Sequence, residues 1–500
     1  MTTFLIGLVI LFAGGFFYSK FIEREFEPDD RETPAVRLAD GVDYVEMKTW
    51  KNSLVELLNI AGTGPIFGPV QGILFGPLAF LTIPIGNVLA GSMHDYFSGM
   101  ISMRNSGAQM PLLIRKYLGG KVKAFYNVVV MILMLLVGAV FVYTPGDLIV
   151  NDILKQDISA TNSIVWVVYG VIFVYYLIAT LFPIDKIIGK VYPIFGAFLV
   201  LSAVGIFVGI LMHPNLIQNV EFRNLAGQNM TGKPIIPIFF ITVACGILSG
   251  FHATQATLIS RTVKSEKEGR MTFYNMMIIE GFIAMCWAAG SMIIFNNGLA
   301  TDTPGTLVVS EVAKFFLGNV GGMIAIVGVI VLPITSGDTA LRSLRLMVAE
   351  QFGIGQKDPK KRMLLSLAIF IPCLAILVFA KLNPKGFGIL WRYFAFTNQF
   401  IAIFALSMIT IYLKIHGKKF LISLIPGMFY TFIVMSFIFN AKIGFNFDKL
   451  FGLADGSFTA SYIAAAIITI IYAVLTINYA NKHGMKIEEV DAFYYAKKAK

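Results

Sequence analysis

Long apolar stretches alternate with short polar ones along the whole chain. A helix that spans a bilayer needs about 20 mostly apolar residues. On that measure the pattern predicts thirteen spans, near residues 3–19, 54–74, 77–103, 122–146, 161–182, 188–212, 235–259, 271–296, 319–349, 363–381, 386–413, 419–439 and 458–480. The 319–349 stretch is long enough to be a single span or a broken one. The first stretch has no basic residues before it and no A-x-A-like cleavage site, so it reads as a retained helix rather than a signal peptide.

The basic residues test this count. With the N-terminus outside, seven segments face the cytoplasm and together hold 31 Lys and Arg, against 8 in the outer loops, with Arg392 inside a span. Segment 183–190 ties with three outer loops; every other inner segment exceeds every outer one. This is the positive-inside distribution, and it places the C-terminus in the cytoplasm.

Two apolar stretches are interrupted by glycine and proline. The first runs Asn59-Ile60-Ala61-Gly62-Thr63-Gly64-Pro65-Ile66-Phe67-Gly68-Pro69. The second runs Val243-Ala244-Cys245-Gly246-Ile247-Leu248-Ser249-Gly250-Phe251-His252. Unwound backbone survives at membrane depth where protein or a cavity satisfies its polar groups. The small residues could instead serve close helix packing, and Gly246 and Gly250 have that spacing. Each stretch, however, opens a group of five spans. By the charge count the first group enters from the cytoplasm and the second from outside, which makes an inverted repeat. Paired interrupted helices in matching positions point to the binding site of a secondary transporter.

The expected fold is therefore an all-α polytopic membrane protein with a five-plus-five inverted repeat. One N-terminal helix (1–20) precedes the repeats at 54–212 and 235–413. Two C-terminal helices (419–480) and a cytoplasmic tail (481–500) follow. Substrate would meet Gly62, Thr63, Gly64, Pro65, Gly68, Ser249, Gly250 and His252. A carboxylate there could accept from backbone N–H groups freed at the positive end of a half-helix.

Composition narrows the function. The chain is 57% hydrophobic and 14% charged, with a mean hydropathy of +0.75. That excludes a soluble enzyme, a disordered chain and a disulfide scaffold. The net charge of +11 does not indicate nucleic acid, because the basic residues line one membrane face. Cys245, Cys286 and Cys373 lie in separate apolar runs and read as small core residues. No P-loop, HExxH or GxSxG occurs, so no catalytic role is expected.

Ionisable residues within spans suggest function by default. They are His94, Asp95, His252, Glu280, Asp338 and Arg392. Glu280 and Asp95 could each carry a proton, since burial disfavours a charged carboxylate. The alternative for both is a structural hydrogen bond. Thr335, Ser336, Asp338 and Thr339 offer oxygens suited to a hard cation, with sodium a candidate at Thr335 and Ser336. They could equally make a polar helix contact. His252 could bind substrate or titrate near neutral pH. Arg392 could meet a substrate carboxylate or reach the headgroups.

Five stretches carry a family resemblance. Gly62-Thr63-Gly64-Pro65-Ile66-Phe67-Gly68-Pro69 resembles GAGPxxGP. Pro183 to Pro193 resembles P-x-x-KIIGRIYP. Phe240 to His252 resembles FITIACGxxSGFH, Asp338 to Arg342 resembles DTATR, and Leu390-Trp391 with Asn398-Gln399 resembles LW-x6-NQ. In this order they are similar to the carbon starvation protein A (CstA) family of bacterial peptide and pyruvate transporters. The resemblance implies an ion-coupled importer of the inner membrane that takes pyruvate or short peptides, with no cofactor and a proton as the favoured coupling ion over sodium. It implies a LeuT/APC-like fold and a small anionic or zwitterionic substrate, and it adds Asn398 to the pathway. Two departures stand out. Arg392 and Tyr393 replace smaller residues, and the chain is shorter than the long members. A nutrient sensor without net flux is the alternative function, and a channel ranks behind it. Oligomeric state is not legible.

Overall fold

The computed structural model describes residues 1–41, 43–181, 185–352, 354 and 358–493. Among them the chain is helical, and its nearest approach to a sheet is an isolated parallel bridge between Met47 and Val263. Eight described helices are long and apolar enough to cross a bilayer. They are α1 (Thr2–Phe26), α7 (Gly120–Ile153), α12 (Glu266–Asn296), α13 (Gly305–Ala349), α14 (Lys360–Leu382), α15 (Gly386–Ile415), α16 (Leu421–Asn440) and α17 (Thr459–Ile487).

Of the other five expected spans, three are divided and two adjoin residues that are not described. The first interrupted stretch is divided into α2 (Thr49–Ile60) and α3 (Gly64–Gly72). The 77–103 stretch is divided into α4 (Ala79–Gly86) and α5 (Ser92–Arg104), joined by a π-helical turn, Asn87–Gly91. Helix α6 (Met110–Leu118) leads into α7. Helices α8 (Ser163–Leu181) and α9 (Asp185–Met212) flank residues 182–184, which lie outside the described residues, as does 494–500 of the expected tail. The second interrupted stretch is divided into α10 (Phe240–Thr242) and α11 (Gly250–Ile259). Helix α13 turns at Gly318, where φ is +67°, and is continuous through 319–349.

Burial separates centre from periphery. Most of α12 and α15 is buried, whereas α17, α1 and α14 are largely uncovered. The uncovered faces are apolar: Ile463, Ile467, Ile470 and Leu475 on α17 are all more than half exposed. A contiguous apolar surface of this kind suits a lipid environment. The chain is a multi-pass membrane protein. In the interior, α12 packs on α3, α13 on α7 and α11 on α5. The three cysteines are free and buried, as small core residues should be.

Candidate functional site

Both interrupted stretches lose their helical backbone. Helix α2 stops at Ile60 and α3 begins at Gly64. The first break is therefore Ala61, Gly62 and Thr63, shorter than the motif. Gly64, Pro65 and Gly68 belong to the helix that follows. Pro65 fits its first turn, where an N–H has no intrahelical partner. The second break is longer, from residue 243 to 249, and turns at Gly246 with φ of +90°. The two breaks touch: a Cβ on Gly64 would lie 2.3 Å from Cys245 Cβ.

Freed backbone carbonyls at the second break have side-chain partners. Asn87 Nδ2 donates to Gly246 O at 2.9 Å and to Met277 O at 2.9 Å. Trp391 Nε1 donates to Thr242 O at 3.0 Å, and Gln399 Nε2 donates to Phe240 O at 2.7 Å. Helix α15 and the π turn after α4 thus supply what the missing helical turns would have supplied.

A narrow cavity lies between the breaks. Its volume is about 20 Å³, room for about one water. Gly62, Thr63, Gly64, Ser249, His252 and Asn398 line it, and Ser336 of α13 closes one side. Thr63 is buried and its Oγ1 has no hydrogen-bond partner. Ser249 Oγ donates to Asn398 Oδ1 at 3.1 Å. Helix α3 begins in the cavity wall at Gly64, and α11 begins at Gly250, directly after the lining residue Ser249, so two positive helix ends lie near one space. Aromatic rings from α3, α7 and α15 pack together. Phe67 lies 5.9 Å from Phe387 and 6.0 Å from Trp391, and Phe387 lies 5.2 Å from Tyr143.

Behind His252 is a buried ionisable cluster drawn from three helices. His252 Nδ1 is 3.2 Å from Asp95 Oδ2, and His252 Nε2 is 3.6 Å from Glu280 Oε1. His94 Nδ1 is 2.7 Å from Asp95 Oδ1. Neither oxygen of Glu280 makes a hydrogen bond. Asp95 is thus shared between two imidazoles, and His252 is set between two carboxyls. An arrangement like this can hold a proton and move it. Among the described residues no group of three or more His, Cys, Asp or Glu could hold a metal ion.

Other expected site residues lie apart from the cavity. Pro65 and Gly68 are in the body of α3, and Gly250 is pressed against Ile401 and Ala402 of α15. Thr335 Oγ1 donates to Leu332 O at 2.9 Å, and Thr339 Oγ1 to Asp338 Oδ1 at 3.1 Å. Asp338 Oδ2 accepts from Tyr175 at 2.9 Å. Of that polar group Ser336 alone reaches the cavity wall. Arg392 sits on α15, half-buried. The Pro183–Pro193 stretch begins outside the described residues. Sequence reasoning passed over Asn59, Phe141 and Phe394, which also line the cavity, and Asn87, which supports it. A lone Asn in an apolar stretch was the available signal for Asn87.

A family model described as "Carbon starvation protein CstA" matches residues 1–180, 146–314 and 288–437. The chain belongs to this family. An uncharacterized membrane protein of Haemophilus influenzae is 41% identical over 59% of the chain and 92% of its own length. The peptide transporter CstA of Bacillus subtilis is 24% identical over 82% of the chain and 84% of its own. The pyruvate/proton symporter BtsT of Escherichia coli is 26% identical over 58% of the chain and 48% of its own. Among solved structures, a manganese transporter of Eremococcus coleocola superposes with a TM-score of 0.57 at 11% identity, covering 89% of the chain and 98% of its own. MhsT, solved with L-phenylalanine, superposes with a TM-score of 0.54 at 13% identity, covering 90% of the chain and all of its own. The CstA-family chain therefore has the LeuT-type transporter fold.

Proposed function

We propose that this CstA-family protein is a proton-coupled secondary transporter that imports a small carboxylate, pyruvate or a short peptide, by alternating access. The observation that carries this reading is the meeting of two helix breaks around one cavity. The names of the peptide and pyruvate relatives support the substrate class.

The substrate carboxylate binds where α3 and α11 begin, and accepts from N–H groups at those helix starts. Thr63, Ser249 and Asn398 add hydroxyl and amide contacts. A proton loads the Asp95–His252–Glu280 cluster beside the substrate. A proton suits this cluster better than sodium suits Thr335 and Ser336, because the Thr335 hydroxyl already bonds within its own helix. Loading changes the charge behind His252 and biases the bundle that carries the breaks. The packed rings of Phe67, Tyr143, Phe387 and Trp391 then part on one side as the other closes.

The topology belongs to the same proposal. The five shorter or divided stretches cross the bilayer with the eight longer helices, giving thirteen spans with the N-terminus outside and the C-terminus in the cytoplasm. Residues 54–212 and 235–413 are the two inverted repeats, with 1–20 before them and 419–480 after.

The test is flux in proteoliposomes. Labelled pyruvate and dialanine are offered under separate inward proton and sodium gradients. Saturable accumulation against a concentration gradient, driven by protons, is the expected result. Binding without accumulation would make the protein a sensor, and accumulation under sodium alone would reassign the coupling ion.

A further inference from the structure

Glu56 lies on α2, one turn before the first break, and takes no part in the contacts described so far. It is fully buried, and neither carboxyl oxygen has a hydrogen-bond partner. Nor does any ion pair reach it among the described residues. A carboxyl in such surroundings is costly unless it has a use.

Its surroundings suggest one. Asp95 is within electrostatic reach of Glu56. Helix α2 packs on α11, which carries His252, and on α12, which carries Glu280. Ser53 lies three residues before Glu56, hence on the same face of α2. Ser53 Oγ is buried without a partner, and so is Thr272 Oγ1 on the first turns of α12, which pack against α2. Glu56, Ser53 and Thr272 thus each bring an unpartnered buried oxygen to the packed faces of α2 and α12. Of the charged or titratable groups on those first turns, Glu268 also has a buried carboxyl oxygen, Oε2, without a hydrogen-bond partner, whereas two others are engaged. Arg270 pairs with Glu23 at 3.0 Å, and Tyr274 donates to Val88 O at 2.9 Å. Asp95, which acts electrostatically on Glu56, is a second carboxyl, and a proton on either one relieves the repulsion between them.

We propose that Glu56 receives the coupling proton from Asp95 and releases it toward the N-terminal end of α2. The proton leaves the Asp95 carboxylic acid and joins the Glu56 carboxylate, so Asp95 becomes charged as Glu56 becomes neutral. Glu56 then gives the proton to water entering past Ser53 and Thr272. This rests on the proton-coupled reading above.

The test separates exchange from net transport. Exchange of labelled for unlabelled substrate returns the carrier loaded, so it does not require proton release. Net accumulation does. Proteoliposomes holding wild type, Glu56→Gln or Glu56→Asp are assayed for both, with labelled pyruvate, or with dialanine where the wild type transports that instead. Glu56→Gln should keep exchange within about twofold of wild type and lose proton-driven accumulation at least tenfold, and Glu56→Asp should recover part of it. Accumulation by Glu56→Gln equal to wild type overturns the role of Glu56 and leaves proton coupling standing. Loss of exchange and accumulation together, without recovery in Glu56→Asp, also overturns it, as a structural role would behave this way. A wild type that exchanges substrate but never accumulates it under a proton gradient refutes the coupled reading itself, and this proposal with it.

Discussion

Asn87 Nδ2 donates at 2.9 Å to the carbonyl of Gly246, the residue whose positive φ turns the second break. One side chain thereby ties the π turn after α4 to the unwound backbone, and its second bond reaches Met277 O. Asn87→Ala would leave the buried Gly246 carbonyl without its donor, at a cost of about 1–3 kcal/mol, while Met277 O, inside α12, keeps its helical partner. The expected outcome is a protein that inserts but unfolds at a clearly lower temperature in detergent. Asn87→Ala with an unchanged thermal midpoint would mean that water or a backbone shift replaces the amide.

The contact of Gly64 with Cys245 makes a steric prediction. Gly64→Ala places a methyl 2.3 Å from Cys245 Cβ, and Gly64→Leu adds far more. Both variants should reach the membrane, with uptake reduced strongly in the first and abolished in the second. Removing the opposing side chain should restore room. Gly64→Ala combined with Cys245→Gly is expected to regain much of the uptake, which gives a positive coupling in a double-mutant cycle. Initial rates of uptake, scaled to protein in the membrane, measure it.

A buried ion pair supplies a stability prediction. Lys381 Nζ lies 2.7 Å from Asp147 Oδ1, which also accepts from Tyr169 at 2.6 Å. Both charged residues are buried. Lys381→Met alone strands a carboxylate in the interior and should destabilise by about 3–5 kcal/mol. Lys381→Met with Asp147→Leu removes both charges and should recover most of that loss. Thermal unfolding of the two variants in the same detergent decides it, and equal midpoints would show that the pair contributes little.

Local chemistry made much of this protein legible. A bilayer admits little but helices, so the length of each apolar stretch reports an element directly, and the glycines and prolines of 61–68 and 243–250 mark where helices must fail. Asp95, His252 and Glu280 stood out because an ionisable group in an apolar stretch is costly wherever it ends up. The extent of each break was less legible. Pro65 and Gly68 read as breakers, yet they lie inside α3, because proline is tolerated in a first helical turn and Gly68 meets the close-packed Thr242 backbone.

Partnership was decided by tertiary structure alone. Lys381 reads as an outer-loop base from its neighbours in the chain, but 234 residues separate it from the Asp147 that buries it. Asn87 and Gly246 are 159 residues apart, and Asp95 and His252 are 157. Spacing along a helix tells which side chains share its face, but not which other helix that face meets. The sequence determined that the chain lies in lipid, that it unwinds twice and that it carries a few costly charges. Packing decided that the two breaks touch, that Asn87, Trp391 and Gln399 satisfy the freed carbonyls, and that the charges gather behind His252, because close approach between distant segments depends on the shapes of both at once.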